Sequence, residues 1–92
     1  MSETTTVPRP TERFRGTDLG DEFVFYDSAN DRVHVLNSTA REIYLLCDGS
    51  RDERAISESF AGQFSDSTEE ARRDALVVLR QLAELGLVES TD

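Results

Sequence analysis

The hydrophobic pattern of this chain passes from none, to a period of two, to a helical period. Residues 1–11 show no apolar repeat and carry Thr and Pro, which predicts a flexible N-terminal tail ahead of one domain spanning 12–90. Glu22-Phe23-Val24-Phe25-Tyr26-Asp27 and Arg32-Val33-His34-Val35-Leu36 are short runs dense in β-formers, separated by the turn residues Ser28-Ala29-Asn30-Asp31. That arrangement predicts an antiparallel hairpin. Arg13-Phe14-Arg15, ahead of a Gly-Thr-Asp turn region, predicts a third, weaker strand. A lone hairpin is marginal in water, so the pattern requires helices packed on one face.

Three helical segments follow. In the first, Ala40, Ile43 and Cys47 share a face with Tyr44 and Leu46 beside it; Asn37 or Ser38 caps it, and Gly49 ends it. In the second, Ile56, Phe60 and Phe64 recur every fourth residue behind a cap at Asp52. The third is the longest. Ser67 and Glu70 form a capping-box pattern, and Glu69 favours the positive helix start. Its core stripe is read as Ala71, Ala75, Val78, Leu82 and Leu85, with Leu76, Leu79 and Ala83 alongside, and Gly86-Leu87 reads as a glycine helix end. Strands segregated from helices predict a small α+β domain, winged-helix-like, with a three-stranded antiparallel sheet followed by three helices.

Composition narrows the function classes. Ninety-two residues hold one core and little space for a deep cavity besides. The formal charge is −9, and all ten basic residues are arginines. Nucleic-acid binding relies on cations that release counterions from phosphates, so this balance argues against it. Arginine keeps bidentate pairing with carboxylates available at chosen points. No apolar run is long enough to span a membrane, and the start MSETTT lacks the features of a signal peptide, so the expected location is the cytoplasm.

The inventory for chemistry is thin. His34 is the only histidine and lies in a β-run; Cys47 is the only cysteine and falls on the apolar face of the first helix. A nucleophile needs a base within hydrogen-bond reach, and nothing in the pattern pairs these two. One cysteine and one histidine make no closed zinc site, the carboxylates lack calcium-loop spacing, and the five glycines are isolated rather than grouped into a phosphate loop. The expectation is a protein that is not an enzyme and holds no metal or cofactor. Two binding surfaces remain. Leu76 and Val77 widen the apolar face of the third helix, beside Arg72, Arg73 and Arg80; this is either a helix sandwiched by its own fold or the wall of a partner groove. Arg32 to Leu36 is the last strand before the helices, and at a sheet edge it would offer unpaired backbone groups to an extended peptide.

The residues carry a family resemblance. A strand ending in Leu36-Asn37 is followed by Thr39-Ala40, Ile43-Tyr44, the helix end Leu46-Cys47-Asp48-Gly49, and a final Leu-x-x-x-Gly-Leu from Leu82 to Leu87. From about Phe14 to Glu89 the chain resembles the PqqD-like family of peptide-recognition domains, also called RiPP recognition elements. It departs from the common pattern at Ser38, where the family often has proline, and at Tyr44, where it often has tryptophan.

The resemblance implies a non-catalytic domain that binds the leader segment of a ribosomally made precursor peptide. The leader would add as a strand to Arg32, Val33, His34, Val35 and Leu36 and lie against a helical wall including Arg72, Arg73, Leu76 and Arg80. It would then be presented to a modifying enzyme such as a radical SAM protein, cyclase or protease. The competing readings are a winged-helix DNA-binding regulator, which shares these fold parts, and a small enzyme using Cys47 or His34.

Overall fold

The computed structural model describes residues 7–12, 14–63 and 68–91. The elements run β1 (Val7–Pro10), β2 (Arg15–Asp18), β3 (Phe23–Asp27), β4 (Arg32–Leu36), α1 (Ser38–Leu46), α2 (Glu53–Ala61), α3 (Thr68–Glu84) and β5 (Val88–Thr91). Strands β2, β3 and β4 form an antiparallel sheet in that order, and the three helices follow it, as the pattern predicted.

Three strands depart from expectation: β1, β2 and β5, the last following the third helix where no strand was expected. Val7–Pro10 falls in the stretch expected to be a tail, yet it pairs antiparallel with β5 in a separate two-stranded sheet. Arg9 opposes Glu89 and forms an ion pair with it at 2.9 Å. Gly49 donates its amide to the Pro8 carbonyl at 3.0 Å, and Thr11 donates to Leu87 at 3.0 Å, so this segment is tied to both ends of the helical layer. None of these partners is near it in sequence, which is why local pattern missed the strand. Likewise Gly16-Thr17-Asp18, read as a turn, belongs to β2. A side chain at Gly16 would run into the rings of Phe23 and Phe25, so the bare backbone is what lets them close over it. The turn comes later, at Leu19–Glu22, where Leu19 donates to the Glu22 carbonyl at 2.8 Å and Gly20 takes a φ of 97°.

The helix caps follow local chemistry. The Asn37 side chain accepts from Ala40 N at 2.9 Å, and the Asp52 side chain accepts from Ala55 N at 2.8 Å. Helix α3 ends in a Schellman arrangement: Gly86, at φ 79°, donates to Ala83, and Leu87 donates to Leu82, each at 3.0 Å. Leu87 then drops into the core. Arg13, expected in the third strand, and Phe64 and Ser67, expected in the second helix stripe and the capping box, lie outside the described residues.

The core is built from the inner face of the sheet and one stripe of each helix. Phe25 and Leu36 meet Ile43, Tyr44 and Cys47 of the α1 segment, Ile56 and Phe60 of α2, and Ala71, Ala75, Leu79 and Leu82 of α3. The stripe on α3 therefore runs 71-75-79-82. Leu79 replaces Val78, which is half-buried, and Leu85 sits exposed beyond the helix end rather than in the core. Phe23 and Phe25 stack at 4.6 Å between ring centroids, and Tyr44 meets Phe25 edge-on at 5.0 Å, which locks α1 to the sheet.

Candidate functional site

Strand β4 lies at the edge of its sheet: among the described strands it pairs only with β3. In an antiparallel ladder alternate residues turn their N–H and C=O away from the partner, so one set along Arg32–Leu36 points outward, free for another strand. The turn before it is firmly built. Asp27, buried, accepts from Ala29 N at 3.1 Å, from Asn30 N at 3.3 Å and from Asn30 Nδ2 at 2.9 Å. The Asn30 side-chain hydrogen bond, ahead of burial acting the other way, holds the Asp27 carboxyl below its ordinary value. Asp31 takes a left-handed φ of 52°, which the turn requires.

The pleat sorts the residues of β4. Arg32, His34 and Leu36 share the inner face, opposite Asp27, Phe25 and Phe23 of β3. Leu36 is only 5% exposed, so its side chain belongs to the core. His34 is half-buried, with its ring 6.0 Å from that of Phe14 in an edge-on contact. Arg32 is exposed. Val33 and Val35 face outward, 61% and 56% exposed, opposite Tyr26 and Val24 respectively.

Helix α1 packs against both β4 and α3. On α3, Leu76 and Val77 are exposed to 41% and 55%, as are Arg73 and Arg80 flanking them. Arg72 is half-buried and donates through Nη1 to Glu69 Oε1 at 2.9 Å. The same exposed surface carries Glu69, Glu70, Asp74 and Glu84, so it is a mixed-charge apolar strip rather than a basic face. A recess between β1, β5 and the segment after α1 is lined by Arg9, Thr11, Glu12, Asp48 and Glu89 and includes no residue of β4.

Cys47 is buried, its Sγ lying 3.3 Å from the Ile43 carbonyl, and burial pushes its thiol up to about 12. A thiol held protonated is a small hydrophobe rather than a nucleophile. Among the described residues no three His, Cys, Asp or Glu side chains are grouped to hold a metal ion. No helix is long and apolar enough to cross a membrane.

The chain is similar to several known proteins. Two solved structures share the fold: "TbiB1 in Complex with the TbiA(beta) Leader Peptide", with a TM-score of 0.73 and 19% identity over 91% of this chain and 98% of that one, and "Lasso peptide synthetase B1 complexed with the leader peptide", with a TM-score of 0.73 and 17% identity over 90% and 98%. A PqqA binding protein of Rhodopseudomonas palustris (strain TIE-1) is 37% identical over 60 residues, which are 65% of this chain and 59% of that protein's length. The model of the family described as coenzyme PQQ synthesis protein D (PqqD) matches residues 22–88, a stretch that takes in β3, β4 and all three helices. The chain belongs to the PqqD family.

Proposed function

We propose that this domain binds the leader segment of a ribosomally synthesised precursor peptide and presents the precursor to a modifying enzyme. The observation that carries the reading is the edge position of β4, set by a tightly bonded turn, without proline and with Arg32 as its one formally charged residue. A leader adding there gains backbone hydrogen bonds irrespective of its sequence, and its alternate side chains fall on either face of the sheet. Inward side chains fall on the face of Arg32, His34 and Leu36, and the exposed Leu76 of α3 is the apolar wall proposed for them. Arg32, Arg72, Arg73 and Arg80 pair with acidic leader residues and bias the register.

The relatives support this in kind: one is named for binding PqqA, and two were solved with leader peptides. The domain's role is presentation, with catalysis supplied by a partner such as a radical SAM protein, cyclase or protease, in the cytoplasm where the precursor is made. The test is titration of the isotopically labelled domain with the leader of the precursor encoded beside its gene. Amide shifts confined to 33–36 and to α3 are the expected result. Saturable binding that leaves those amides unmoved, or no binding, overturns the reading.

A further inference from the structure

The outer face of the sheet is apolar where a solvent-facing sheet is ordinarily polar. Val24 and Tyr26 on β3 stand directly opposite Val35 and Val33 on β4, and Arg15 and Thr17 of β2 complete the row. The chain has 19 acidic residues, yet none lies on this face within the three strands. Asp18 and Asp27 belong to the inner face, and Asp31 reaches the patch from the turn only through the Tyr26 hydroxyl, at 3.2 Å. Four apolar side chains expose on the order of a few hundred Å², short of the roughly 800 Å² per partner of a stable protein–protein interface. A second copy, also at −9, is therefore poorly served by this face. The patch is instead continuous with the open edge, since Val33 and Val35 belong to β4 itself.

We infer that Val33 and Val35 determine specificity by reading the outward-facing side chains of the strand that docks on β4, and that they select apolar residues two positions apart. This rests on the leader-binding reading and deepens it. An added strand places every second side chain beside Val33 and Val35, within the roughly 4.5–5.5 Å Cβ spacing of directly opposed residues. An apolar pair there shields both valines and extends the Val24–Val35 and Tyr26–Val33 rows by one strand. A polar or charged residue leaves the valines wet and is itself partly desolvated. The selected segment is thus apolar on its outward face, in addition to whatever its inward face offers α3.

A double-mutant cycle tests this with a synthetic leader peptide of the precursor encoded beside the gene. Val33→Thr/Val35→Thr keeps β-branching and shape, and Leu19→Thr, an exposed apolar residue in the β2–β3 turn, serves as control. The double variant should bind about 3- to 30-fold more weakly, with Leu19→Thr unchanged. A leader carrying Thr at the two positions whose NOEs place them opposite Val33 and Val35 should lose a similar factor against the unaltered domain and little more against the double variant. Additive losses, or undiminished binding by the double variant, overturn the inference while leaving leader binding intact. A concentration-dependent dimer, seen by sedimentation and abolished by the double variant, overturns it in favour of self-association. Failure of the unaltered domain to bind overturns the leader-binding reading and this inference together.

Discussion

Arg41 on α1 holds Asp18 on β2 through two parallel hydrogen bonds, Nε to Oδ1 at 2.7 Å and Nη2 to Oδ2 at 2.9 Å. Asp18 also accepts from Gly20 N at 2.9 Å, so one carboxylate fixes both the helix and the turn into β3. The Arg41 hydrogen bond is the main reason its carboxyl sits below the ordinary value, and hydrogen bonds to Asn30 and Ser50 do the same for Asp27 and Asp48.

Acid sensitivity follows. A carboxyl whose folded pKa is depressed contributes stability above its unfolded value, about 3.9, and loses it as pH falls through the folded value. These three aspartates therefore add no slope between pH 5 and 8 and destabilise the fold below about pH 4. Thermal melts by circular dichroism from pH 6 to pH 2.5 should show this, with a shallower acid slope in Asp18→Asn. An unchanged slope in that variant would count against the Arg41–Asp18 clasp.

Gly16 tests the sheet's inner packing. In Gly16→Ala the new methyl meets the Phe23 and Phe25 rings, which are themselves stacked and backed by Tyr44. Overpacking of this kind costs about 1–3 kcal/mol. Urea denaturation should report that loss, with altered near-ultraviolet dichroism from the displaced rings.

Cys47 should behave as a buried hydrophobe. With its thiol pushed up to about 12 by burial, it should resist alkylation at pH 8 in the folded protein and react at the rate of unfolding. Because its folded pKa is raised, the thiol form favours the folded state below the unfolded value of about 8.5, and that contribution is lost as pH rises toward the folded value. Melting temperature should fall above about pH 8.5, less steeply in Cys47→Ala, and that variant should retain leader binding. Prompt alkylation of the native protein would contradict this.

Removing residues 1–10 should be costly, although their composition reads as a tail. The truncation deletes β1, its ladder with β5, and the Pro8 acceptor of Gly49. Hydrogen exchange should show amides 88–91 and Gly49 losing protection, with a lower melting temperature. Unchanged protection would make the β1–β5 sheet dispensable.

Asp27 links turn to site. In Asp27→Ala the three hydrogen bonds that shape residues 28–30 disappear, and the start of β4 frays. Leader affinity should fall although Asp27 lies on β3 rather than on the edge strand. Exchange measurements should place the loss of protection at Arg32 and Val33 first.

The elements legible in the sequence are those whose cause is local. Asn37 and Asp52 cap the helices they precede, Gly86 ends α3, and the β-runs at Phe23 and Arg32 pair across their short turn, because each needs only neighbours a few residues away. The family pattern around Leu36 to Gly49 is of this kind, which is why fold and kinship could be read together. Tertiary structure decided the rest. Val7–Pro10 is a strand because β5, some eighty residues on, supplies its partner; Gly16 can lie in a strand because the Phe23 and Phe25 rings packed over it need its bare backbone; and Leu79 rather than Val78 enters the core where α3 packs against α1 and α2. The division of β4 into a buried Leu36 and outward Val33 and Val35 belongs to the same class. Alternation along a strand says which residues share a face, and only the packed helices say which face is inside.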